Sequence, residues 1–256
     1  DQSPAHEYTS AGTYTVSLTA GNAAGSNTVT KQFYVMVTFP DVPMTHWAVR
    51  QVLACVNAGI ASGYPEGVYQ PTWPVSRDQM AVYISRALAD GDDNVPSPEP
   101  GTQTFADVQS IGYEEDGTYT GTGPYPHWAY NYVEYCFAQS VVEGYTQDDP
   151  ETPENEATYA PDLDVKRDAM AVYISRALVG GDENVPPGPA EATFDDVATD
   201  YWAYDYIEYC VAQGVVQGYT QDDPDTPENE ATYLPDLTVT RDQMAVYIAR
   251  AFNLPM

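Results

Sequence analysis

Arg77-Asp-Gln-Met-Ala-Val-Tyr-Ile-Ser-Arg-Ala-Leu88 returns almost letter for letter as Arg167 to Leu178, and again as Arg241 to Phe252. A segment repeated this closely is one structural unit used three times, so the fold is a repeat architecture. Working outward, a Trp-Ala pair precedes each copy, at Trp47, Trp128 and Trp202. Further upstream stands a Phe with an Asp-Val two residues on: Phe39 and Asp41, Phe105 and Asp107, Phe194 and Asp196. The copies therefore cover residues 39–89, 105–179 and 194–256. Residues 90–104 and 180–193 between them are rich in Pro, Gly and acidic side chains, and read as extended, exposed linkers.

Each copy reads as helix, turn, helix. Ala48, Val52, Cys55 and Val56 fall on one face of a 3.6-residue period, as do Ala129, Val133, Cys136 and Phe137, then Ala203, Ile207, Cys210 and Val211. Gly59 and Gly214 should stop this helix, with Ser140 in the middle copy. The second helix places Met80, Ile84, Ala87 and Leu88 on one face, and Met170 and Met244 open the matching sets. Ser76 with Gln79 and Thr240 with Gln243 have the spacing of capping boxes, while Lys166 with Ala169 does not. Gly63-Tyr64, Gly144-Tyr145 and Gly218-Tyr219 begin the connection as brief extended stretches.

The first 38 residues follow another rule. From Tyr14 onward apolar and polar residues alternate with a period of two, interrupted by the turn signal Gly21-Asn22. A hairpin or a few strands result, too little for an independent domain.

The repeat pattern Phe-x-Asp-Val, His46-Trp47-Ala48, Gly59-Ile60, Gly63-Tyr64-Pro65, Gly67, Pro71 and Arg77 resembles the S-layer homology (SLH) family, over residues 39–253. The resemblance implies a mainly α, three-repeat module around a central helical bundle. It also implies attachment to cell-wall polysaccharide, often pyruvylated, through an Arg opening the second helix. By motif position that role falls on Arg77, Arg167 and Arg241, with sugar faces stacking on Trp47, Trp128 or Trp202. Where the family has Ala-Glu after this Arg, the chain has Asp78-Gln79, Asp168-Ala169 and Asp242-Gln243. His6-Glu7-Tyr8-Thr9, Ala11 to Val16 and Asn22 to Ser26 resemble the second half of a PKD domain, an immunoglobulin-like β-sandwich. That likeness implies strands supplied from upstream sequence or by a neighbouring subunit.

Charge narrows the partners. The 256 residues carry 38 acidic against 9 basic side chains, a formal net charge of −29. Such a surface repels nucleic acid and anionic membranes and attracts divalent cations or basic partners; solubility in a salty exterior is the plainer account. No apolar run reaches the roughly 20 residues of a membrane span. The chain opens at Asp1 without an initiator Met or leader, and reads as a mature product or part of a longer one. Copies two and three share an acidic insertion, in which Asp148, Asp149, Glu151, Asp222, Asp223 and Asp225 are candidate calcium ligands, a solvated loop being the alternative. Trp128, Tyr132 and Tyr135, with Trp202, Tyr206 and Tyr209, form stripes that suit inter-repeat packing, a protein contact or sugar stacking.

Cys55, Cys136 and Cys210 occupy equivalent apolar-face positions and read as small core residues, a disulfide or metal site being the alternative. Arg86, Arg176 and Arg250 read as ion-pair partners of Asp residues that hold repeat to repeat. His6, His46 and His127 have no counterpart in the third copy, and no nucleophile, metalloprotease or phosphate-loop motif is present, so no enzyme is expected. The expected function is attachment at the cell envelope through wall polysaccharide. The alternative is a self-assembling subunit of an extracellular filament, sheath or surface layer, whose partners are copies of itself.

Overall fold

A computed structural model describes residues 4–98, 102–113, 115, 117–123, 126–146, 157–220 and 231–256. It is mainly helical: six helices, two in each repeat, follow a two-stranded hairpin. The pairs are α1 (Val49–Asn57) with α2 (Arg77–Leu88), α3 (Tyr130–Ala138) with α4 (Arg167–Val179), and α5 (Tyr204–Ala212) with α6 (Arg241–Ala251). Gly59, Ser140 and Gly214 end the first helix of each pair in left-handed backbone, at φ of 67, 57 and 68°.

The second helices are buried over more than the single face their period suggests. Met80 through Ser85 are all buried, whereas Ala87 and Leu88 are only half-buried. The reason is position: α2, α4 and α6 touch one another at the centre. Each also packs on the first helix of the next repeat, α2 on α3, α4 on α5 and α6 on α1, so the chain closes into a ring. The cysteines lie in these seams. Cys136 Sγ meets Ser85 Oγ at 3.2 Å and Cys210 Sγ meets Ser175 Oγ at 3.3 Å; all three are free and buried. Phe137, expected on the apolar face, is exposed instead and edges onto Phe105.

Backbone hydrogen bonds close the same ring. Val75 N–H donates to Val239 O (2.9 Å), Val239 to Val165 (2.8 Å) and Val165 to Val75 (2.8 Å). The free amides at the start of each second helix go to the loop of the following repeat: Arg77 to Leu163 O, Arg167 to Leu237 O and Arg241 to Trp73 O, each at 2.9 Å. Helix starts leave such donors unmet within the helix itself, and here a neighbouring repeat accepts them. The capping box forms at Thr240–Gln243. It does not form at Ser76: Thr240 N–H donates to Gln243 Oε1 at 3.3 Å, whereas Gln79 Oε1 finds no partner among the described residues.

The Phe-x-Asp-Val motif is a clamp. Asp41, Asp107 and Asp196 accept paired amides from Tyr69–Gln70, Tyr159–Ala160 and Tyr233–Leu234. The second residue of each pair is a non-glycine in left-handed backbone, at φ of 59, 55 and 58°. The carboxylate offsets that strain with two charge-assisted bonds. The Gly-Tyr segments are extended as expected, pairing as β5 (Tyr145–Thr146) with β6 (Ala157–Thr158) and β7 (Tyr219–Thr220) with β8 (Ala231–Thr232). Between the Phe105 motif and α3, repeat two adds β3 (Gly112–Tyr113) and β4 (Tyr119–Gly123). The described linker residues are mostly exposed but pinned: Thr104 and Thr193 bond Glu134 and Glu208, and Gly188 N–H donates to Asp205 at 2.8 Å.

At the N-terminus β1 (Gly12–Asn22) pairs antiparallel with β2 (Gly25–Val37). The turn falls at Ala23-Ala24, two residues beyond the Gly21-Asn22 signal, because Asn22 Oδ1 accepts Ala24 N–H (2.8 Å) and organises it. Register shifts between Tyr14 and Val16, opposite Phe33 at φ 51°. Only the base docks: Thr13 N–H donates to Asn57 Oδ1 at 2.8 Å, while Leu18, Val29, Tyr34 and Met36 stay exposed.

Candidate functional site

Arg77, Arg167 and Arg241 open α2, α4 and α6 with side chains 7, 3 and 6% exposed. Each Nε donates to the carbonyl of a buried tyrosine in the next repeat around the ring: Tyr159 (2.7 Å), Tyr233 (2.8 Å) and Tyr69 (2.9 Å). Those tyrosines return their hydroxyls to the carbonyls of Arg77, Arg167 and Arg241 at 2.8, 2.8 and 3.3 Å. A guanidinium out of water needs both donors satisfied and its charge offset. Tyrosine faces supply the second: Arg77 lies 4.8 and 4.6 Å from the rings of Tyr145 and Tyr159, and Arg167 5.0 and 4.5 Å from Tyr219 and Tyr233. Arg77 and Arg167 also donate to the hydroxyls of Tyr173 and Tyr247, which burial pushes up to about 12 and so keeps protonated.

The Asp that follows each Arg does two jobs. Its Oδ1 accepts the next helix amide, from Gln79 (2.6 Å), Ala169 (2.6 Å) and Gln243 (2.8 Å). Its Oδ2 holds an aromatic side chain from another repeat: Trp128 Nε1 on Asp78 and Trp47 Nε1 on Asp242, both at 3.0 Å, and Tyr201 Oη on Asp168 at 2.8 Å. Burial raises the Asp78 carboxyl above its ordinary value, and burial lowers His127 beside it. Trp47, Trp128 and Trp202 remain 60, 55 and 60% exposed. Two of the three indoles are therefore fixed at one edge with the face left to solvent.

These parts assemble into grooves that no single repeat contains. One of about 430 Å³ is lined by Arg77 of repeat one, Tyr145, Asp168 and Tyr173 of repeat two, and Trp202 of repeat three. Another of about 400 Å³ repeats the scheme one step around, with Arg167, Tyr219, Asp242, Tyr247 and Trp47. Of the arginines and tryptophans singled out in the sequence, Arg77 lines one groove with Trp202 and Arg167 the other with Trp47, while Arg241 and Trp128 line neither. Tyr132 and Tyr206 are half-buried in the seams, donating to Asp92 and Asp182 at 2.6 and 2.7 Å, and Tyr135 and Tyr209 are half-buried beside them. Asp148, Asp149, Glu151, Asp222, Asp223 and Asp225 lie outside the described residues. Among the described residues no group of three His, Cys, Asp or Glu is placed to hold a metal ion, and no helix is long and apolar enough to cross a membrane.

Sequence reasoning missed the tyrosines that carry the arginines. The signal was there: Tyr69, Tyr159 and Tyr233 each stand two residues before a proline, once per repeat.

Residues 38–81 and 193–245 match the S-layer homology domain, and residues 1–35 match the PKD domain. The chain is 27% identical over 195 residues, 76% of its length, to a cellulosome-anchoring protein of Acetivibrio thermocellus. It is 24% identical over 241 residues, 93% of its length, to an S-layer protein of Bacillus anthracis. Those matches span 34% and 22% of the two relatives, so the chain corresponds to about a third or less of either. Residues 105–179, between the two matched regions, carry the same helix pair, clamp, buried tyrosine and opening arginine. The chain therefore carries S-layer homology domains, preceded by a PKD domain fragment.

Proposed function

We propose that this is a non-catalytic cell-surface protein that attaches to the cell envelope by binding wall polysaccharide in the grooves between its repeats. The observation that carries the reading is the pairing of a guanidinium with an exposed indole in each of two equivalent grooves. An indole face stacks on a sugar ring and a guanidinium hydrogen-bonds its oxygens or a carboxylate, so the pair suits a polar polymer. The relatives named for anchoring and for surface layers support the same assignment. Co-sedimentation of the chain with purified envelope sacculi from the protein's own cells tests it. Retention should fall for Trp47→Ala and Trp202→Ala; a chain that stays in the supernatant with every sacculus preparation would sink the proposal.

One observation favours assembly with copies of itself as a second reading. Between Glu7 and Asp41 there is no acidic residue, and Lys31 is the lone charge. In a chain of net charge −29 this hairpin, with free edges and exposed Leu18, Val29 and Tyr34, is where two copies could pair strands without repulsion. Sedimentation velocity without polysaccharide should then show association that is lost on deleting residues 1–38. A monomer at all concentrations would leave attachment as the sole reading.

A further inference from the structure

Each first helix packs on the second helix of the preceding repeat, and for α1 that partner is α6, at the far end of the chain. The Cys55–Ala245 contact across this closing seam joins residues 190 apart, against 55 for Cys136–Ala81 and 39 for Cys210–Ala171. Among the helices and strands, α1 otherwise touches only β1, where Thr13 N–H meets Asn57 Oδ1.

Three polar contacts of the other two seams are missing here. Ser85 and Ser175 donate across their seams to Tyr132 O (2.9 Å) and Tyr206 O (3.1 Å), but the third copy has Ala249. The phenols of Tyr132 and Tyr206 donate to Asp92 and Asp182 at 2.6 and 2.7 Å, and the matching residues are Gln51 and Met256. Arg77 and Arg167 donate to Tyr173 and Tyr247, whereas Arg241 turns to Ser62 O (3.0 Å) and leaves the buried Tyr83 hydroxyl unmet among the described residues. Packing is incomplete as well. A cavity of about 200 Å³ lies between Leu53 of α1, Phe33 and Met36 of β2, and Pro255 and Met256 beyond α6. A buried hydrogen bond shifts an equilibrium by about fivefold, so three make this seam roughly a hundredfold easier to open than its counterparts.

Opening it undoes one groove and spares the other. Trp47, fixed to Asp242 of α6 at 3.0 Å, is the indole of the groove of about 400 Å³, whose other walls belong to repeats two and three. The groove of about 430 Å³ takes no residue from the hairpin or α1.

We propose that the hairpin and α1 form one arm that lifts off α6 while the other two seams stay shut, and that a ligand filling the Trp47 groove clasps the arm down. The clasp rests on the polysaccharide-attachment reading and adds to it the regulation of one groove. A ligand that needs the arm seated must in turn seat it, because coupling between binding and closure is reciprocal.

Each seam carries one buried thiol, so thiol labelling resolves the three. The whole chain is labelled over hours in urea below its unfolding transition, with each site followed by peptide mass mapping and scaled to its own rate in guanidinium. Circular dichroism melting confirms that each variant is folded. Cys55 should label about tenfold or more faster than Cys136 and Cys210. Ala249→Ser should slow Cys55 about fivefold without moving the other two, and Ser175→Ala should speed Cys210 by about as much. Saturating envelope sacculi should slow Cys55 about tenfold or more and leave Cys136 and Cys210 unchanged. Equal rates at the three thiols overturn the arm. A chain that is retained on sacculi with its Cys55 rate unchanged overturns the clasp while leaving attachment standing. No retention removes attachment and the clasp together, and the lead of Cys55 in urea alone still decides the arm.

Discussion

Gly214 and Gly218 stand four residues apart in repeat three, and their replacement by alanine should cost very different amounts. At Gly214 the backbone is left-handed, φ +68°, and a Cβ would meet nothing within 4 Å. The penalty is that of an L-residue in left-handed backbone, about 1–2 kcal/mol, less the roughly 0.4–1 kcal/mol gained by restricting the unfolded chain. Gly218 needs no left-handed backbone, but its Cβ would sit 2.3 Å from Phe194 Cε1 and 2.6 Å from Thr232 O. The carbonyl belongs to the β7–β8 pair and cannot swing away, so the Phe194 ring must leave its buried site. Overpacking costs about 1–3 kcal/mol, and displacing a buried aromatic raises it toward the top of that range. Gly218→Ala should therefore lose about 3 kcal/mol and Gly214→Ala about 1 kcal/mol. For a domain of this size those losses are roughly 6–12 °C and 2–4 °C in Tm. Urea unfolding followed by far-ultraviolet circular dichroism reads the difference directly. If the two variants fall within about 0.5 kcal/mol of each other, the Phe194–Gly218 contact is not the lock described here, and the same doubt extends to Phe39–Gly63 and Phe105–Gly144.

Three further outcomes follow from the seams. Arg77→Met leaves the Tyr159 carbonyl and Tyr173 hydroxyl without their donor; at about 1–3 kcal/mol for each buried unmet group, stability should fall by roughly 2–6 kcal/mol, against under about 0.5 for exposed Arg50→Met. Burial pushes the thiols of Cys55, Cys136 and Cys210 up to about 12, so a thiol reagent near pH 8 should label none in the native chain and all three in guanidinium; rapid native labelling would contradict the seam packing. Hydrogen bonding from Arg176 holds the Asp182 carboxyl below its ordinary 3.8, a contribution fully present above that value and lost as pH falls through the folded one. The stability gap between wild type and Asp182→Asn should thus be level above about pH 5 and shrink below about pH 4, and a gap that widens in acid would refute the pairing.

How much of this was legible follows from which residues recur. The helices and their ends at Gly59, Ser140 and Gly214 were readable, because three copies of one pattern average out local accident. The seams were not. Period alone puts Met80, Ile84, Ala87 and Leu88 on one face, yet α2 is buried from Met80 to Ser85 by helices brought from two other repeats. Ser76 and Gln79 have capping-box spacing, but Gln79 Oε1 does not take up the Ser76 amide as Gln243 Oε1 takes up that of Thr240, a difference that spacing alone does not carry. The Gly21-Asn22 turn signal failed because the Asn22 side chain organises the next two residues instead. Arg250 was read with Arg86 and Arg176 by repeat position, but Gln217 and Met256 stand where Glu143 and Asp182 meet Arg176.

Ring closure explains why a change so small can matter. In an open solenoid each repeat owns its surface, and a substitution alters one repeat. Here both arginine-lined grooves take their arginine from one repeat, their tyrosines and helix from the next and their indole from the third, while the Val75–Val239–Val165 hydrogen bonds tie the three repeats together. The two grooves are of nearly equal volume, about 430 and 400 Å³, so size cannot tell them apart. Charge can. Exchanging Glu143 for Gln217 leaves the valine ring intact, yet changes the described charge of one groove against the other. A duplicated scaffold that must stay symmetric to close has this route to a distinct site: the closing contacts run through the arginine–tyrosine pairs and the valine ring, and the residues free to diverge are those at the groove rim.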